Sequence, residues 1–328
     1  MPSPDRPDRN LAMEMVRTTE AAAMAAAKWQ GRGDKEGGDQ AAVDAMRSML
    51  STVEIDGVVV IGEGEKDEAP MLFNGEQVGT GHQPAVDIAV DPVDGTRLLS
   101  EGRPGSLAVI AATARGGMFD PGPCVYMEKM IVGPQAAGMI DLDAPLKRNL
   151  DRIARAVGKE LSEVTVVMLD RPRHEEAKAE IREAGARLQL IRDGDVAAGV
   201  LAAWVERPGV DLLYGIGGTP EGVSTACAVK ALRGEILGRL WPRDDAERQA
   251  ALDAGYDLDQ VLTTDDLVST EDAFFACTGI TSGGQLVDGV TYDKHGAVTE
   301  SLVMRAKSGT VRTIRARHRI AKMREYTA

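Results

Sequence analysis

The sequence is poor in the two residue types that mark soft-metal sites and disulfide-rich folds. Its three cysteines are isolated, odd in number and without CxxC spacing, and its four histidines show neither metal-ligand spacing nor a pairing with a serine nucleophile. A disulfide framework and a Cys/His metal site are therefore not indicated. The cysteines indicate a reduced, cytoplasmic setting instead. They are Cys124, Cys227 and Cys277.

Long apolar runs are also missing. No uninterrupted apolar stretch reaches the length of a membrane span, and the N-terminal sequence MPSPDRPDRN contains no apolar signal-peptide core. We therefore expect a soluble protein that is not exported and has no membrane partner. Residues 1–8 are rich in Pro and Asp, and we expect them to be disordered.

Positive charge is scarce, since 38 Lys and Arg face 51 Asp and Glu, for a formal net charge of −13. This balance disfavours nucleic acid and anionic membranes, and an anionic substrate would need local arginines or bound metal cations. The alternative is a nucleic-acid site in the C-terminal run SGTVRTIRARHRIAKMR, which clusters basic residues between Arg312 and Arg324. However, no aromatic residue interleaves them, and Val311, Thr313 and Ile314 favour an edge strand.

The stretch DIAVDPVDGT is the central candidate for a functional site in the sequence. Its alternation of apolar and acidic residues predicts a strand that stops at Pro92, before a turn at Gly95. Asp91 and Asp94 flank that turn and can converge on one divalent cation, with the Thr96 hydroxyl close by. Such hard oxygen ligands suit Mg²⁺ or Mn²⁺ better than zinc. The alternative is a polar turn that caps a helix.

Two further acidic clusters lie at the ends of predicted elements. Asp39 stands where an N-cap belongs, before the helix pattern QAAVDAMRSML. Glu63 follows the buried strand pattern of residues 58–61, between glycines, where a carboxylate is costly unless it is solvated or meets a cation. Alone, the cluster around Glu63 is best interpreted as an acidic surface loop. Together with the central motif, the two clusters favour shared metal binding.

Two loops after predicted strands have features of anion sites. In GIGGTPEGV, Thr219 can cap a helix, Pro220 suits its first turn and Glu221 follows, which favours an anion or metal site at the helix N-terminus. The alternative is a well-capped helix, because the loop lacks GxGxxG and GK[ST] patterns. In RPRH, Arg171 and Arg173 can hold phosphate, and the alternative is two solvated arginines.

The second half of the chain alternates between strand and helix patterns. VTVVMLD, ARLQLI and VDLLY resemble buried strands, and a loop and a helix-forming stretch follow each of them. Three such units between residues 160 and 235 predict α/β organisation. Their loops follow the carboxyl ends of the strands, where open sheets gather ligands.

With these stretches in place, the sequence resembles the class II (bacterial GlpX-type) fructose-1,6-bisphosphatases, within the lithium-sensitive, inositol monophosphatase-like superfamily of metal-dependent sugar phosphatases. The matching segments run in the family's order over nearly the whole chain. They are GRGDKEGGDQAAVDAM, IGEGEKDEAPML, DIAVDPVDGT, YMEKMIVGP, RPRH, DGDVAAG, YGIGGTPEG and KSGTVR. The resemblance implies a layered αβαβα sandwich with mixed sheets. It also suggests a metal-binding half (9–160) and a substrate-binding half (161–325) that form one catalytic unit.

The resemblance implies a role for each matching residue. Asp39 and Glu63 would bind one divalent metal, Asp91, Asp94 and Glu221 would bind a second, and Thr96 would activate the attacking water. The expected substrate contacts are Asp94, Gly95, Thr96, Tyr126, Arg171, Pro172, Arg173, Asp193, Gly194, Asp195 and Gly218.

The implied activity is hydrolysis of fructose 1,6-bisphosphate to fructose 6-phosphate and phosphate in gluconeogenesis, with Mg²⁺ or Mn²⁺. The protein is expected to be a cytoplasmic homo-oligomer, a dimer or a tetramer, that binds a small sugar bisphosphate. The rival within the superfamily, an inositol or nucleotide phosphatase, is disfavoured because IGEGEKDEAPML and YGIGGTPEG point to the bisphosphatases.

Overall fold

The structure is a computed structural model that describes residues 10–62, 72–319 and 322. The predictions for residues 1–8 and for Glu63 lie outside the described residues. In the described part of the chain, the strands and helices expected between residues 160 and 235 appear in the predicted order. No helix within the described ranges combines the length and the apolarity needed to cross a membrane.

The described residues form thirteen strands and nine α-helices. The strands are β1 (Asp56–Ile61), β2 (Gln77–Val78), β3 (Ala85–Asp94), β4 (Leu107–Ala114), β5 (Tyr126–Val132), β6 (Thr165–Leu169), β7 (Arg187–Ile191), β8 (Leu212–Gly218), β9 (Glu235–Leu240), β10 (Ala273–Gly279), β11 (Thr291–Asp293), β12 (Gly296–Arg305) and β13 (Thr310–His318). The helices are α1 (Ala12–Ala26), α2 (Lys35–Leu50), α3 (Thr96–Glu101), α4 (Leu146–Val157), α5 (Glu175–Ala184), α6 (Val196–Ala203), α7 (Thr219–Leu232), α8 (Asp245–Asp253) and α9 (Thr264–Leu267).

The strands form two mixed sheets. The first has eight strands in the order β11-β12-β10-β4-β3-β1-β2, with β13 also paired to β12. Its β1 and β3 are parallel, whereas β3, β4, β10 and β12 pair antiparallel. The second sheet has the order β7-β6-β8-β5-β9. Strands β7, β6 and β8 are parallel, and β5 pairs antiparallel with β8 and β9.

The helices and sheets stack in five layers. Helices α1 and α2 cover one face of the first sheet, where Met15, Met46 and Leu50 are fully buried. Helices α6 and α7 lie between the two sheets, and α4 and α5 cover the far face of the second, where Ile153 and Ile181 are fully buried. Helix α7 is buried on all sides because both its faces meet a sheet. The predicted αβαβα sandwich is confirmed.

Strand β3 runs past the proline at which we expected it to stop. Its ladder with β4 pairs Asp91 with Val109 and Asp94 with Leu107, so the register shifts across Pro92. A proline has no N–H to donate, but an irregularity in the pairing accommodates it. The expectation that the strand stops at Pro92 was therefore wrong. The chain turns three residues later at Gly95, which has φ +83°.

Helix α2 starts earlier than the sequence pattern suggested. Its N-cap is Asp34, whose Oδ1 accepts a hydrogen bond from the backbone N–H of Gly37 at 2.9 Å. Asp39 therefore lies inside the helix, and its expected position as the N-cap was wrong. The two glycines that suggested a loop lie in the first turns of α2, where close packing leaves little room for a side chain. A Cβ on Gly38 would lie 2.9 Å from the side chain of Leu99.

Three strand–helix units and an edge strand appear as predicted. The pairs β6–α5, β7–α6 and β8–α7 reproduce the alternation expected between residues 160 and 235. Strand β13 pairs with β12 along its whole length, from Thr310 to His318. The division of the chain into two halves near residue 160 stays a prediction.

Candidate active site

A cavity of about 230 Å³ lies where the end of β3 meets the ends of strands in the second sheet. Most of the residues that the sequence predicted as metal or substrate contacts line it. The lining residues are Asp94, Val125, Tyr126, Leu169, Arg171, Arg173, Asp193, Gly194, Asp195, Gly217, Gly218, Pro220 and Glu221. The fold thus brings together segments that lie more than a hundred residues apart in the chain.

Strand β3 delivers the first carboxylate, Asp94. The residue is 3% exposed, and its Oδ2 is buried without a hydrogen-bond partner among the described residues. Burial, followed by the nearby charges of Asp195 and Glu221, holds the pKa of Asp94 well above its usual range. A buried carboxylate oxygen with no donor is costly, and a cation would relieve that cost.

The junction of β8 and α7 delivers the second carboxylate, Glu221. The glycines that we expected to form a loop belong to β8, which runs to Gly218 and passes directly into the helix at Thr219. Oε2 of Glu221 is buried and has no hydrogen-bond partner in the described part of the chain. Burial, and then the charge of Asp195, raises the pKa of Glu221. A Cβ on Gly218 would lie 1.7 Å from that Oε2 atom, so any larger residue would displace the Glu221 carboxylate.

The loop between β7 and α6 forms the opposite wall with Asp193, Gly194 and Asp195. Gly194 has φ +66°, and a Cβ there would lie 3.0 Å from Oδ2 of Asp94, so the loop passes very close to that carboxylate. Oδ2 of Asp193 accepts a hydrogen bond from the backbone N–H of Arg97 at 3.2 Å, which joins the loop to α3. Asp195 is 6% exposed.

A buried lysine that the sequence analysis did not single out completes the acidic side of the cavity. Nζ of Lys129 lies 2.8 Å from Oδ2 of Asp195 and donates to the backbone oxygen of Gly218 at 3.2 Å. The sequence did contain a feature that could have identified this lysine. Lys129 lies on the same face of β5 as Met127 and Ile131, which are buried, and a lysine on a buried face of a strand needs a partner.

The two arginines of RPRH stand at the other side of the cavity and are already oriented. Arg171 donates to Oδ1 of Asp193 at 3.1 Å and to the backbone oxygen of Arg192 at 2.5 Å. Arg173 donates twice to the backbone oxygen of Ile216, and its guanidinium lies 5.0 Å from the ring centre of Tyr126. These contacts hold both guanidinium groups beside the cavity, in a form suited to a phosphate.

His174, which the histidine spacing gave no reason to select, fixes the base of this arginine loop. Its Nε2 accepts from the backbone N–H of Ile216 at 2.8 Å, so its Nδ1 carries the proton and donates to the backbone oxygen of Leu169 at 2.7 Å. Burial lowers the pKa of His174, in agreement with a neutral ring. The residue therefore ties the end of β6 to β8 and positions the arginines indirectly.

The other predicted residues within the described ranges are not part of the cavity lining. Thr96 is partly exposed and begins α3, and Oδ1 of Asp91 accepts from the backbone N–H of Val93 at 3.1 Å. Asp39 lies on α2, where burial raises its pKa. Gly95 and the exposed Pro172 are likewise outside the lining. The roles proposed for these residues stay predictions.

The donor set of the cavity fits a hard divalent cation. Two buried carboxylate oxygens, Oδ2 of Asp94 and Oε2 of Glu221, have no protein partner in the described ranges, and both side chains line the same space. In those ranges, no three acidic, Cys or His side chains form a complete metal-binding group. Glu63, a predicted ligand, lies outside them. The two orphaned oxygens would hold such a cation together with water and substrate oxygens.

Known proteins match this chain over nearly its whole length. A model of the family described as "Bacterial fructose-1,6-bisphosphatase, glpX-encoded" matches residues 9–318. The chain is 48% identical over 323 residues to the "Fructose-1,6-bisphosphatase 1 class 2" of Escherichia coli (strain K12), with 94% of this chain and 95% of the relative covered. The proteins named "Fructose-1,6-bisphosphatase class 2" in Escherichia coli O6:H1 and Shigella flexneri match to the same extent. The chain therefore belongs to the bacterial, glpX-encoded fructose-1,6-bisphosphatase family.

Proposed function

We propose that this protein hydrolyses fructose 1,6-bisphosphate to fructose 6-phosphate and phosphate, as a gluconeogenic phosphatase that uses Mg²⁺ or Mn²⁺. Phosphatases of this family are metal-dependent. The observation that supports the proposal most strongly is the pair of orphaned oxygens on Asp94 and Glu221, in the same cavity as Arg171 and Arg173. Acidic groups for a cation and basic groups for a phosphate therefore share one small space.

Asp94 and Glu221 would hold the cation, with Asp91 as a further ligand. When bound, a divalent cation lowers the pKa of a coordinated water and stabilises charge on the phosphate and the leaving oxygen. Asp39 and Glu63 would hold a second cation. The raised pKa values of Asp94 and Glu221 mean that protons compete with the metal for these oxygens.

Thr96 would orient the attacking water through its hydroxyl. It begins α3 directly after Gly95, two residues beyond Asp94, and its side chain is partly exposed. A hydroxyl in that position can accept a hydrogen bond from, or donate one to, a water held near the carboxylates. Positioned proton transfer of this kind contributes roughly 10²–10⁴-fold to a rate.

The arginine side would bind the phosphate that does not react. Arg171 and Arg173 are held in place by Asp193 and by the backbone of Ile216, and Tyr126 lies under the guanidinium of Arg173. Backbone groups at Pro172, Gly194 and Gly218 and the carboxylates of Asp193 and Asp195 would contact the sugar. Such contacts orient the substrate with respect to the metal side.

The wider setting is also proposed. Three buried free cysteines are consistent with a cytoplasmic enzyme, and we propose a homo-oligomer, a dimer or a tetramer, without nucleic acid as a partner. Membership of the inositol monophosphatase-like superfamily predicts inhibition by millimolar lithium. Activity that stays flat in LiCl, with NaCl as the ionic-strength control, would argue against that membership.

A panel of phosphate esters tests the substrate. Phosphate release is measured at equal concentrations of fructose 1,6-bisphosphate, sedoheptulose 1,7-bisphosphate, fructose 6-phosphate, a nucleoside monophosphate and inositol 1-phosphate, each with Mg²⁺ and with Mn²⁺. We expect the highest kcat/KM for fructose 1,6-bisphosphate, because the cavity has separate acidic and basic sides for two phosphates. A higher value for inositol 1-phosphate or the nucleotide would overturn the proposal.

A further inference from the structure

We infer that Lys129 is a positioning residue for the reaction, because its ammonium group joins the 193–195 loop to the junction between β8 and α7. The inference rests on the proposed function for its kinetic readouts. Nζ of Lys129 lies 2.8 Å from Oδ2 of Asp195 and 3.2 Å from the backbone oxygen of Gly218. The side chains of Lys129 and Asp195 are 2% and 5% exposed. A single buried group thus connects two walls of the cavity.

The glycines of the β8 strand make room for this connection. A Cβ on Gly217 would lie 2.3 Å from Oδ2 of Asp195 and 2.9 Å from Cε of Lys129. A Cβ on Gly218 would meet the carboxylate of Glu221. The structure gives a further reason for the glycines in the pattern that suggested an anion or metal site. They clear space for one buried ion pair and one buried carboxylate.

The charge of Lys129 also matters to the carboxylates beside it. Four carboxylates crowd the cavity: Asp195, Glu221 and Asp193 raise the pKa of Asp94, and Asp195 and Asp193 raise that of Glu221. The ammonium of Lys129 acts in the opposite direction on Asp94 and on Glu221. Because Asp195 takes the direct contact with Lys129, the oxygens of the other two remain available to a metal.

The geometry predicts what happens when the connection is removed. Without the ammonium group, the 193–195 loop loses its tie to Gly218, and the arginine side and the metal side of the cavity are no longer held at a fixed separation. A misplacement on the order of 1 Å costs about 10²-fold in rate. Metal affinity should not fall, because the removed group is a cation.

Four variants test the inference. Lys129→Met and Asp195→Asn each remove one partner, and their double variant removes the pair without leaving a buried charge alone. Lys230→Met is the matched control. Lys230 is a largely buried lysine at the far end of α7, 9% exposed in its side chain, and it pairs with Asp265 at 2.5 Å. All four are compared with wild type by melting temperature, with and without Mn²⁺.

In kinetics, we expect Lys129→Met to lose about 10²-fold in kcat/KM while keeping its Mn²⁺-induced rise in Tm. The double variant should be close to the worse of the two single variants, because both remove the same contact. Lys230→Met should keep its activity. Near-normal kcat and KM in Lys129→Met, or a double variant that loses the product of the two single losses, would overturn the inference.

Hydrogen exchange tests the positioning separately from activity. Peptides that contain residues 193–195 and 216–222 should exchange faster in Lys129→Met than in wild type, and at wild-type rates in Lys230→Met. Unchanged exchange in both segments of Lys129→Met would contradict the positioning role. If wild type releases no phosphate from fructose 1,6-bisphosphate, the proposed function fails, and the exchange rates decide the role of Lys129.

Discussion

The two ends of helix α7 differ in whether their charged side chains are paired. At the C-terminal end, Lys230 pairs with Asp265 and Glu271 and donates to the backbone oxygen of Val268. At the N-terminal end, a buried oxygen of Glu221 has no hydrogen-bond partner among the residues that the structure describes. The Lys230 ammonium is therefore fully paired within the protein, whereas the Glu221 carboxylate is not. Because Glu221 lines the cavity, its unpaired oxygen indicates where a ligand binds.

Neutralising the Glu221 carboxylate should have the largest effect on activity. Glu221→Gln removes a negative charge that the metal needs, and we expect a loss of about 10³-fold or more in kcat/KM at any Mg²⁺ concentration. In excess chelator, however, the variant should melt at a higher temperature than wild type, because a buried carboxylate without a partner is removed. Normal turnover, or a lower Tm in chelator, would show that Glu221 is a structural residue.

The Thr96 hydroxyl should give the next largest effect. Thr96→Ala should lose roughly 10²-fold or more in kcat with little change in Mn²⁺ binding, because proton transfer and water orientation are lost. Thr96→Ser keeps the oxygen and should retain much of the rate. If Thr96 only starts α3, alanine would lower Tm and leave kcat nearly intact. Measuring kcat and Tm on both variants separates these outcomes.

Removing the two arginine side chains beside the cavity should weaken substrate binding more than it slows turnover. Arg171→Ala combined with Arg173→Ala should raise KM by about 10-fold or more and lower kcat much less, since a phosphate that does not react is bound equally in the ground and transition states. The control is Arg239→Ala, because Arg239 pairs with Asp143 and neither residue lines the cavity. An unchanged KM in the double variant would place the distal phosphate elsewhere.

The smallest effect should come from a buried carboxylate whose oxygen has a partner. Oε1 of Glu20 on α1 accepts from Oγ1 of Thr299 at 3.1 Å, and burial raises the pKa of Glu20 in spite of the opposing charge of His318. A raised folded-state pKa penalises the charged form, so the penalty is present at neutral pH and fades as the pH falls through that pKa. Glu20→Gln should slightly raise Tm at pH 7.5 and less at pH 5.5. A gain that grows on acidification would contradict this sign.

Periodicity and composition predicted the elements of the fold better than their ends. The alternation of strands and helices in residues 160–235 was confirmed because each segment has a regular apolar pattern. The predicted ends of elements were wrong where interactions elsewhere in the fold overrode the local sequence pattern. Pro92 lies within β3 because the register shifts there, and α2 includes its two glycines because Asp34 caps the helix before them.

The site was predictable where charged residues stood at element ends, and less so where they stood inside elements. Asp94, Arg171 and Glu221 follow strands or begin helices, and the structure places all three around one cavity. Lys129 and His174 were missed because their importance depends on partners far along the chain, Asp195 and Ile216. Only the three-dimensional structure shows that the acidic and basic sides meet.

Mn²⁺ binding by wild type and by Glu221→Gln tests most directly whether Glu221, at the N-terminal end of α7, holds a cation. Both proteins are stripped with chelator and dialysed, and bound Mn²⁺ is measured by electron paramagnetic resonance during titration, with Lys230→Met as the matched control. We expect wild type and Lys230→Met to bind Mn²⁺ equally, and Glu221→Gln to bind less or more weakly. Equal binding by all three proteins would contradict the assignment of Glu221 to the metal site.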